Sequence, residues 1–458
     1  MSMSVDGLVS GMDTTSIISQ LMSVEAAPQN ALKTKLSATQ NTVSAYRTVN
    51  TTFLAITATA DTALTAGLWT TTKATSTSAA NATATASAGA LTGSLTFSVT
   101  QLAAPHAVSN RNTAGTWTSS TSAYGASSIE VFDKAGVSKG TIAIGGTQTV
   151  ADAAAAINAS SMGLSAAVVQ ISATEVGLQV TSTTTGADTE FSFTGAGTFS
   201  VNQQAQDAQI SVGTVNPYTV SSATNTFTGV LPGTTITAVK ADPLTPVTVS
   251  VVSDPNTIAA KMQALVDAVN ASIKTVKDYT STATGSTAAL KGDWSVSQLS
   301  GALADAVSSA VGADGSPVQV GFQLNKDGTV AFDKAKFIAA LNNTPDLAKR
   351  MVLGTAASDP DGVPGSGDEV AAIDGIATRL RKVAVSASDA TTGTLVSLAN
   401  GQDSMVKDIQ DRIADWDLRL AKRKETITAQ FTAMETALSS LKNQSTWLAG
   451  QIASLPHS

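Results

Sequence analysis

Apolar residues recur at every seventh position from 406 to 455: Val406, Ile413, Leu420, Ile427, Met434, Leu441, Leu448 and Leu455. On a helix that spacing lines one face. A second row stands three residues on at Ile409 and Trp416, then four residues on at Phe431, Leu438 and Ile452, with the switch at Lys422-Arg423-Lys424. The stripe therefore wraps slowly, as on a nearly straight helix that packs on several partners. At 1.5 Å per residue the helix would run roughly 80 Å. Near the other end, Leu32, Leu36, Val43, Tyr46, Phe53, Ile56, Ala60 and Leu64 repeat the spacing. Pro28 separates this stripe from a shorter helix that carries Ile17, Ile18, Leu21 and Met22, with Asp13 placed to cap it.

The expected assembly seam is Leu32, Leu36, Val43, Tyr46 and Phe53 on the first helical end, with Ile413, Leu420, Ile427, Phe431, Met434, Leu438, Leu441, Leu448 and Ile452 on the second. Packing within one subunit and packing between subunits both remain open. One long helix can serve both with two faces.

Between the helical ends the pattern changes to short alternating runs, such as Leu95-Thr96-Phe97-Ser98-Val99 and Val247-Thr248-Val249-Ser250-Val251, which read as strands. A stretch with its own strand, helix and strand pattern (Ile129 to Phe132, a helix over 150–162, then 166–171 and 177–180) reads as an insertion. After Val252, Asp254-Pro255 opens a helix with Ile258, Met262, Leu265, Val269, Ile273 and Val276 on one face. Further helices are expected at 294–311, 334–341, 345–353 and 369–385. Phe322-Gln323-Leu324 and Val330-Ala331-Phe332 read as a hairpin, whose Asp327-Gly328 pair suits a type I′ turn.

The fold class that follows is α+β multidomain, a helical coiled-coil leg built from both chain ends with nested β-rich head domains inserted between. The expected segments are 1–70 for the N-terminal leg helices; 71–106 with 206–252 for one head domain; 107–205 for a second head domain inserted in the first; 253–402 for a helical leg domain with a hairpin at 321–333; and 403–458 for the C-terminal leg helix.

Charge sharpens the division, because residues 71–250 hold 13 charged side chains in 180 positions whereas 403–458 hold 14 in 56. The net charge of −7 argues against nucleic acid as a partner, since phosphate binding needs clustered Lys and Arg. No apolar run reaches the roughly 18 to 20 residues that a bilayer crossing needs, and the first basic residue is Lys33, so neither membrane insertion nor a cleaved signal is expected. With no cysteine and only His106 and His457, a His-based triad or zinc site has little to use. The best carboxylate cluster, Asp359-Pro360-Asp361-Gly362 through Asp368-Glu369, puts glycine at the fourth position where a calcium loop needs it at the sixth. No catalytic residue, metal site or cofactor is expected.

The opening Gly7-Leu8-Val9-Ser10-Gly11-Met12-Asp13, Glu25-Ala26-Ala27-Pro28, Phe97 to Ala103, Ala205-Gln206-Asp207-Ala208 with Asn225, Gly229 to Thr235, Leu290-Lys291-Gly292-Asp293, Asp327 to Asp333 and Gln430 to Glu435 together resemble the flagellar hook-associated protein 2 family. Met351-Val352-Leu353 and Gly213-Thr214 depart from the family's usual residues. The resemblance implies a non-enzymatic homo-oligomeric ring at the distal filament tip, with plate-forming β domains outward and legs in the growing lattice, under which flagellin folds. It also implies unfolded export through the type III apparatus with an export chaperone, and contact with flagellin and hook-filament junction proteins. Another axial or junction protein would share the helical ends but lack the segments at 207–208 and 229–235 and the Asp327-Gly328 hairpin. A surface adhesin with a mucin-binding head, or a hydrolase, would need exposed aromatic or carboxylate clusters.

Overall fold

The computed structural model describes residues 11–111, 117–195, 197–358 and 370–453. Helices α1 (Thr14–Glu25) and α2 (Ala27–Leu64) open the chain. The Asp13 carboxylate accepts the Ser16 N–H at 2.8 Å and so caps α1. The joint at Ala26 is one residue long, and Pro28 follows within the first turn of α2, where a missing N–H costs no helical bond. Threonines on α2 satisfy their hydroxyls within the helix. Here the hydroxyls of Thr34, Thr39, Thr42, Thr48 and Thr51 each bond the carbonyl four residues back.

The chain divides into two compact units, one formed by the described residues of Met1–Leu64 and Ala259–Ser458, the other by Thr65–Ile258. The second unit is built from β1 (Thr72–Ser76), β2 (Ala82–Ala86), β3 (Gly93–Gln101), β4 (Ala107–Asn110), β5 (Ser128–Asp133), β6 (Ser138–Ala143), α3 (Val150–Ala159), β7 (Leu164–Ser172), β8 (Glu175–Ser182), β9 (Phe191–Thr194), β10 (Ser200–Gln203), β11 (Ala208–Val212), β12 (Tyr218–Ser222), β13 (Thr226–Thr228), β14 (Thr234–Ala238) and β15 (Asp242–Ser253). One core joins the sheet β1-β15-β3-β11-β12 to the sheet β13-β14-β2 through Phe97, Val99, Ile210, Phe227, Ile236, Val247 and Val249. A second core belongs to β10-β4-β8-β7, β6-β5-β9 and α3, and holds Trp117, Tyr124, Ile129, Ile157, Leu178 and Phe191. Helix α3 stops at Ala159, short of 162, because Ser161 and Gly163 take positive φ and turn the chain into β7.

Polar side chains tie the two cores together. Ala187 N–H donates to Asp207 Oδ1 at 2.7 Å and the Thr185 hydroxyl donates to the Ala223 carbonyl at 2.7 Å, while on the side of the first core Ala103 N–H donates to Asn225 Oδ1 at 2.7 Å. Gly186 sits in this joint with φ 114°, and a Cβ there would stand 2.8 Å from the Ala223 side chain. Buried His106 lies beside it; its Nδ1 accepts the Phe191 N–H at 3.2 Å.

The first unit resumes at Ala259, inside α4 (Pro255–Thr280), and continues with α5 (Trp294–Ser308), the strand pair β16 (Phe322–Leu324) and β17 (Val330–Phe332), α6 (Lys334–Asn343), α7 (Pro345–Leu353), the two-residue strands β18 (Gly354–Thr355) and β19 (Ile373–Asp374), α8 (Ile376–Ser388) and α9 (Thr394–Ala453). Met262, Leu265, Val269, Ile273 and Val276 are all buried, as the spacing in α4 predicts. The β16-β17 turn differs from the expected type I′. Asp327 is not among the non-glycine residues at positive φ; Gly328 alone takes φ 79° there, and its N–H closes a turn on the Asn325 carbonyl at 3.0 Å. The Asp327 carboxylate accepts instead from the Thr329 N–H and hydroxyl, a side-chain clasp that a type I′ geometry would not need.

Two helix starts also differ. α8 begins at Ile376 and not at 369, because Ile373-Asp374 is taken up by pairing with Gly354-Thr355; a Cβ on Gly354 would meet the Ile373 carbonyl at 2.0 Å, so only glycine allows that approach. α9 begins at Thr394 and not at 403. Leu395 and Ala399 are buried on its first turns, and Gly401 passes inside the helix with open space around it.

Candidate assembly surface

The seam expected from the sequence falls into three parts. Val43, Tyr46, Phe53 and Ile427 are buried within the chain, so their apolar surface already serves its own core. Leu32, Leu36, Ile413, Leu420, Phe431, Met434 and Leu438 are half-buried. Leu441, Leu448 and Ile452 are 61%, 55% and 60% exposed. Leu455 lies outside the described residues, as do the carboxylate loop 359–369, His457 and the opening motif up to Ser10.

Polar contacts explain where the change comes. Arg47 pairs with Asp403 at 2.6 Å, Gln29 Nε2 donates to Asp417 Oδ1 at 2.5 Å, and Arg423 pairs with Glu25 at 3.2 Å. Partner positions in α1 and α2 fall as those in α9 rise, which is an antiparallel register. The two exposed ion pairs add little energy each, but with the bond from buried Gln29 they fix the alignment along the pair. On that register α9 passes the first turn of α1 before it reaches Ser440, and every residue from 440 to 452 is exposed. Several turns before that point a cleft of about 590 Å³ lies between Ile18, Ser19 and Met22 of α1 and Leu420, Ala421 and Lys424 of α9.

Tyr46 anchors α2 from the other side. Its hydroxyl donates to Asp293 Oδ2 at 2.7 Å while Asp293 Oδ1 accepts the Val296 N–H and caps α5. Burial and the Asp293 carboxylate hold the Tyr46 phenol well above its usual range, so it stays a donor. Trp447, 66% exposed beside the outer stripe, was not part of the expected seam, since it falls off the heptad. An aromatic on the polar face of a helix that carries few other large residues was the available signal.

Among the described residues no group of three or more His, Asp or Glu side chains could hold a metal ion, and no helix is long and apolar enough to cross a membrane.

The family model for the N-terminus of flagellar hook-associated protein 2 matches residues 10–106, and that for its C-terminus matches 205–443. Among solved structures, the D1-D2-D3 domains of the flagellar cap protein FliD from Escherichia coli are 23% identical, with a TM-score of 0.58 over 78% of this chain and 99% of that one. The fold is shared with that protein. FliD from Bdellovibrio bacteriovorus, 23% identical, aligns over 38% of this chain and 99% of its own with a TM-score of 0.31, and FliD from Pseudomonas aeruginosa PAO1, 16% identical, over 42% and 93% with 0.35. No curated protein matches the chain. Since the C-terminal model alone spans more than half of its residues, the chain belongs to the flagellar hook-associated protein 2 family, the flagellar cap proteins.

Proposed function

We propose that this chain caps the distal end of a flagellar filament as a ring of copies of itself, holds flagellin at the tip while it folds and polymerises, and keeps monomer from leaking away. The observation that carries this reading is the bare apolar end of α9. Leu441, Trp447, Leu448 and Ile452 stand exposed on a helix that has run past its own partners. A helix draws most of its stability from packing, so this one has a use for a surface outside the chain. On this reading segments 1–70, 253–402 and 403–458 make the leg, and 71–106 with 206–252, together with 107–205, make the outward plates. The exposed part of the seam meets neighbouring copies or flagellin, and the buried part builds the leg. The role is structural, needs no cofactor, and places the protein outside the cell after export through the type III apparatus with its chaperone, in contact with hook-filament junction proteins on the way.

Two measurements test it. Purified protein at high concentration should form rings visible by electron microscopy. Cells in which Leu441 and Leu448 are both aspartate should shed flagellin into the medium and swim poorly. A chain that stays monomeric at every concentration, in cells whose filaments are normal with the double variant, would sink the reading.

A further inference from the structure

The two β cores within Thr65–Ile258 share no residue, and the chain crosses between them twice, at 104–107 and at 204–207. Ala104 and Gln206 form an antiparallel bridge where the crossings meet. Next to that bridge a latch, residues 185–190, reaches back from the second core to the first. The Thr185 hydroxyl donates to the Ala223 carbonyl, the Gly186 N–H to the Ala104 carbonyl at 3.3 Å, and the Ala187 N–H to the Asp207 carboxylate. Hydrogen bonds contribute about 1 kcal/mol each, so ties of this kind open far more readily than an apolar core does.

His106 fastens the first crossing to the latch. Its Nδ1 accepts the N–H of Phe191, the residue that follows the latch, and the two rings meet edge to face with centroids 4.8 Å apart. Its own carbonyl accepts the Ser182 N–H at 2.8 Å, just ahead of the latch. The ring is buried, and among the described residues Nε2 has no hydrogen-bond partner. A neutral ring suits this place. A protonated one does not: Nδ1–H would point at the Phe191 N–H, and a full charge would sit buried with neither nitrogen hydrogen-bonded.

The surrounding charges do not supply that partner. Glu190 favours a proton on the ring, but burial outweighs it. Asp207 is engaged by Ala187, and Asp188 pairs with Lys134 at 3.8 Å. Asp133, opposite Phe191 on β5, takes the Ala135 and Val137 N–H groups, and Glu175 on β8 pairs with Arg111 at 3.2 Å.

We propose that this joint is a latch worked by a proton. For His106 to take a proton its ring leaves Phe191; with that bond gone, residues 185–190 release Ala223, Ala104 and Asp207 and let the two cores part. In the closed joint the ring stays neutral, whereas in the open one it titrates near the ordinary imidazole value of about 6.5. Falling pH therefore favours opening, by about tenfold per unit below roughly 6.5, until the closed form takes the proton as well.

The chain has no cysteine, so a single introduced thiol reports opening at its own site. Full-length Ala205→Cys, buried in the second crossing, reacts with dithiodipyridine when the joint opens. Ala153→Cys, in the second core, reacts through wider unfolding, and exposed Val215→Cys gives the reactivity of a free thiol at each pH. The expected rate of Ala205→Cys relative to Val215→Cys rises about tenfold from pH 7.5 to 5.5 and stays at least about tenfold above that of Ala153→Cys. Adding His106→Gln, with Ala153→Cys still protected in that background, leaves the ratio independent of pH whatever its level. A ratio that does not change with pH in the chain that keeps His106 overturns the latch, and this arm decides even where His106→Gln does not fold. A slope that survives His106→Gln overturns it too. Equal rates at Ala205→Cys and Ala153→Cys would do the same, since the site would then open only with the whole fold.

Discussion

His106 shows how one side chain can set the conditions under which a joint holds. It is 2% exposed, and Nδ1 must be unprotonated to accept the Phe191 N–H. Burial pulls its pKa below the usual imidazole value, opposed by the nearby Glu190 carboxylate. The unfolded chain therefore takes up a proton near pH 6.5 while the folded one does not, and stability falls as pH drops through that value, levelling off below the lowered folded pKa. Gln at this position offers an oxygen to Phe191 without titrating. Thermal midpoints of the full-length protein should fall less between pH 7.5 and 5.5 in His106→Gln than in the wild type; an equal fall in both would clear His106 of the effect. Of the residue-scale features, the caps were the most legible. Asp13 and Asp254 stand in front of helical spacing and do cap it, taking the Ser16 and Thr257 N–H groups. The clasps by Asn225, Asp207 and Asn158 were not legible as such, because they act on backbone groups that are distant in sequence or belong to another element.

At the scale of the element, α9 separates two jobs along one stripe. The heptad announced a long apolar face, but it could not say which turns face the chain's own α1 and α2, since that depends on where those helices end. Ile427 is 6% exposed and Leu441 is 61% exposed, although they lie two heptads apart in the same row. Ile427→Asp should destabilise the isolated chain by about 2 to 5 kcal/mol or more, the loss of a buried aliphatic with a charge left in its place. Leu441→Asp should leave isolated stability within about 0.5 kcal/mol, as surface changes do, and reduce self-association or flagellin retention. Urea denaturation of each variant alongside sedimentation separates the two outcomes. If Leu441→Asp melts like Ile427→Asp, the outer stripe has an internal partner after all. The starts of α8 and α9 escaped the sequence because pairing at Ile373-Asp374 and burial of Leu395 overrode local signals such as Gly401.

For the molecule as a whole, the alternation of helical ends and strand-rich middle was plain in the periodicity, whereas the pairing of strands was not, because Ser/Thr-rich strands carry little to mark register. Thr65–Ile258 has both β cores within it. Expressed alone, that fragment should fold with a strand-dominated circular dichroism spectrum, and a fragment that stays unfolded would show that its stability is borrowed. The other unit should be unevenly resistant to protease. The Lys422 to Lys424 run lies where α9 is held by Arg423 to Glu25 and by the α1 cleft, while Lys442 is the one basic residue in the exposed stretch 440–452. Local opening governs cleavage, and a helix without tertiary partners opens most readily. Trypsin acting on dilute protein should therefore cut first after Lys442, with the 422–424 sites following more slowly and the head last. Assembly should reverse the order at the tip: in rings or on filaments, Lys442 is covered and the full-length band persists. Mass spectrometry of the first fragment decides it, and an initial cut within 422–424, or a Lys442 site equally open in the assembled state, would show that the end of α9 is not the surface the assembly covers.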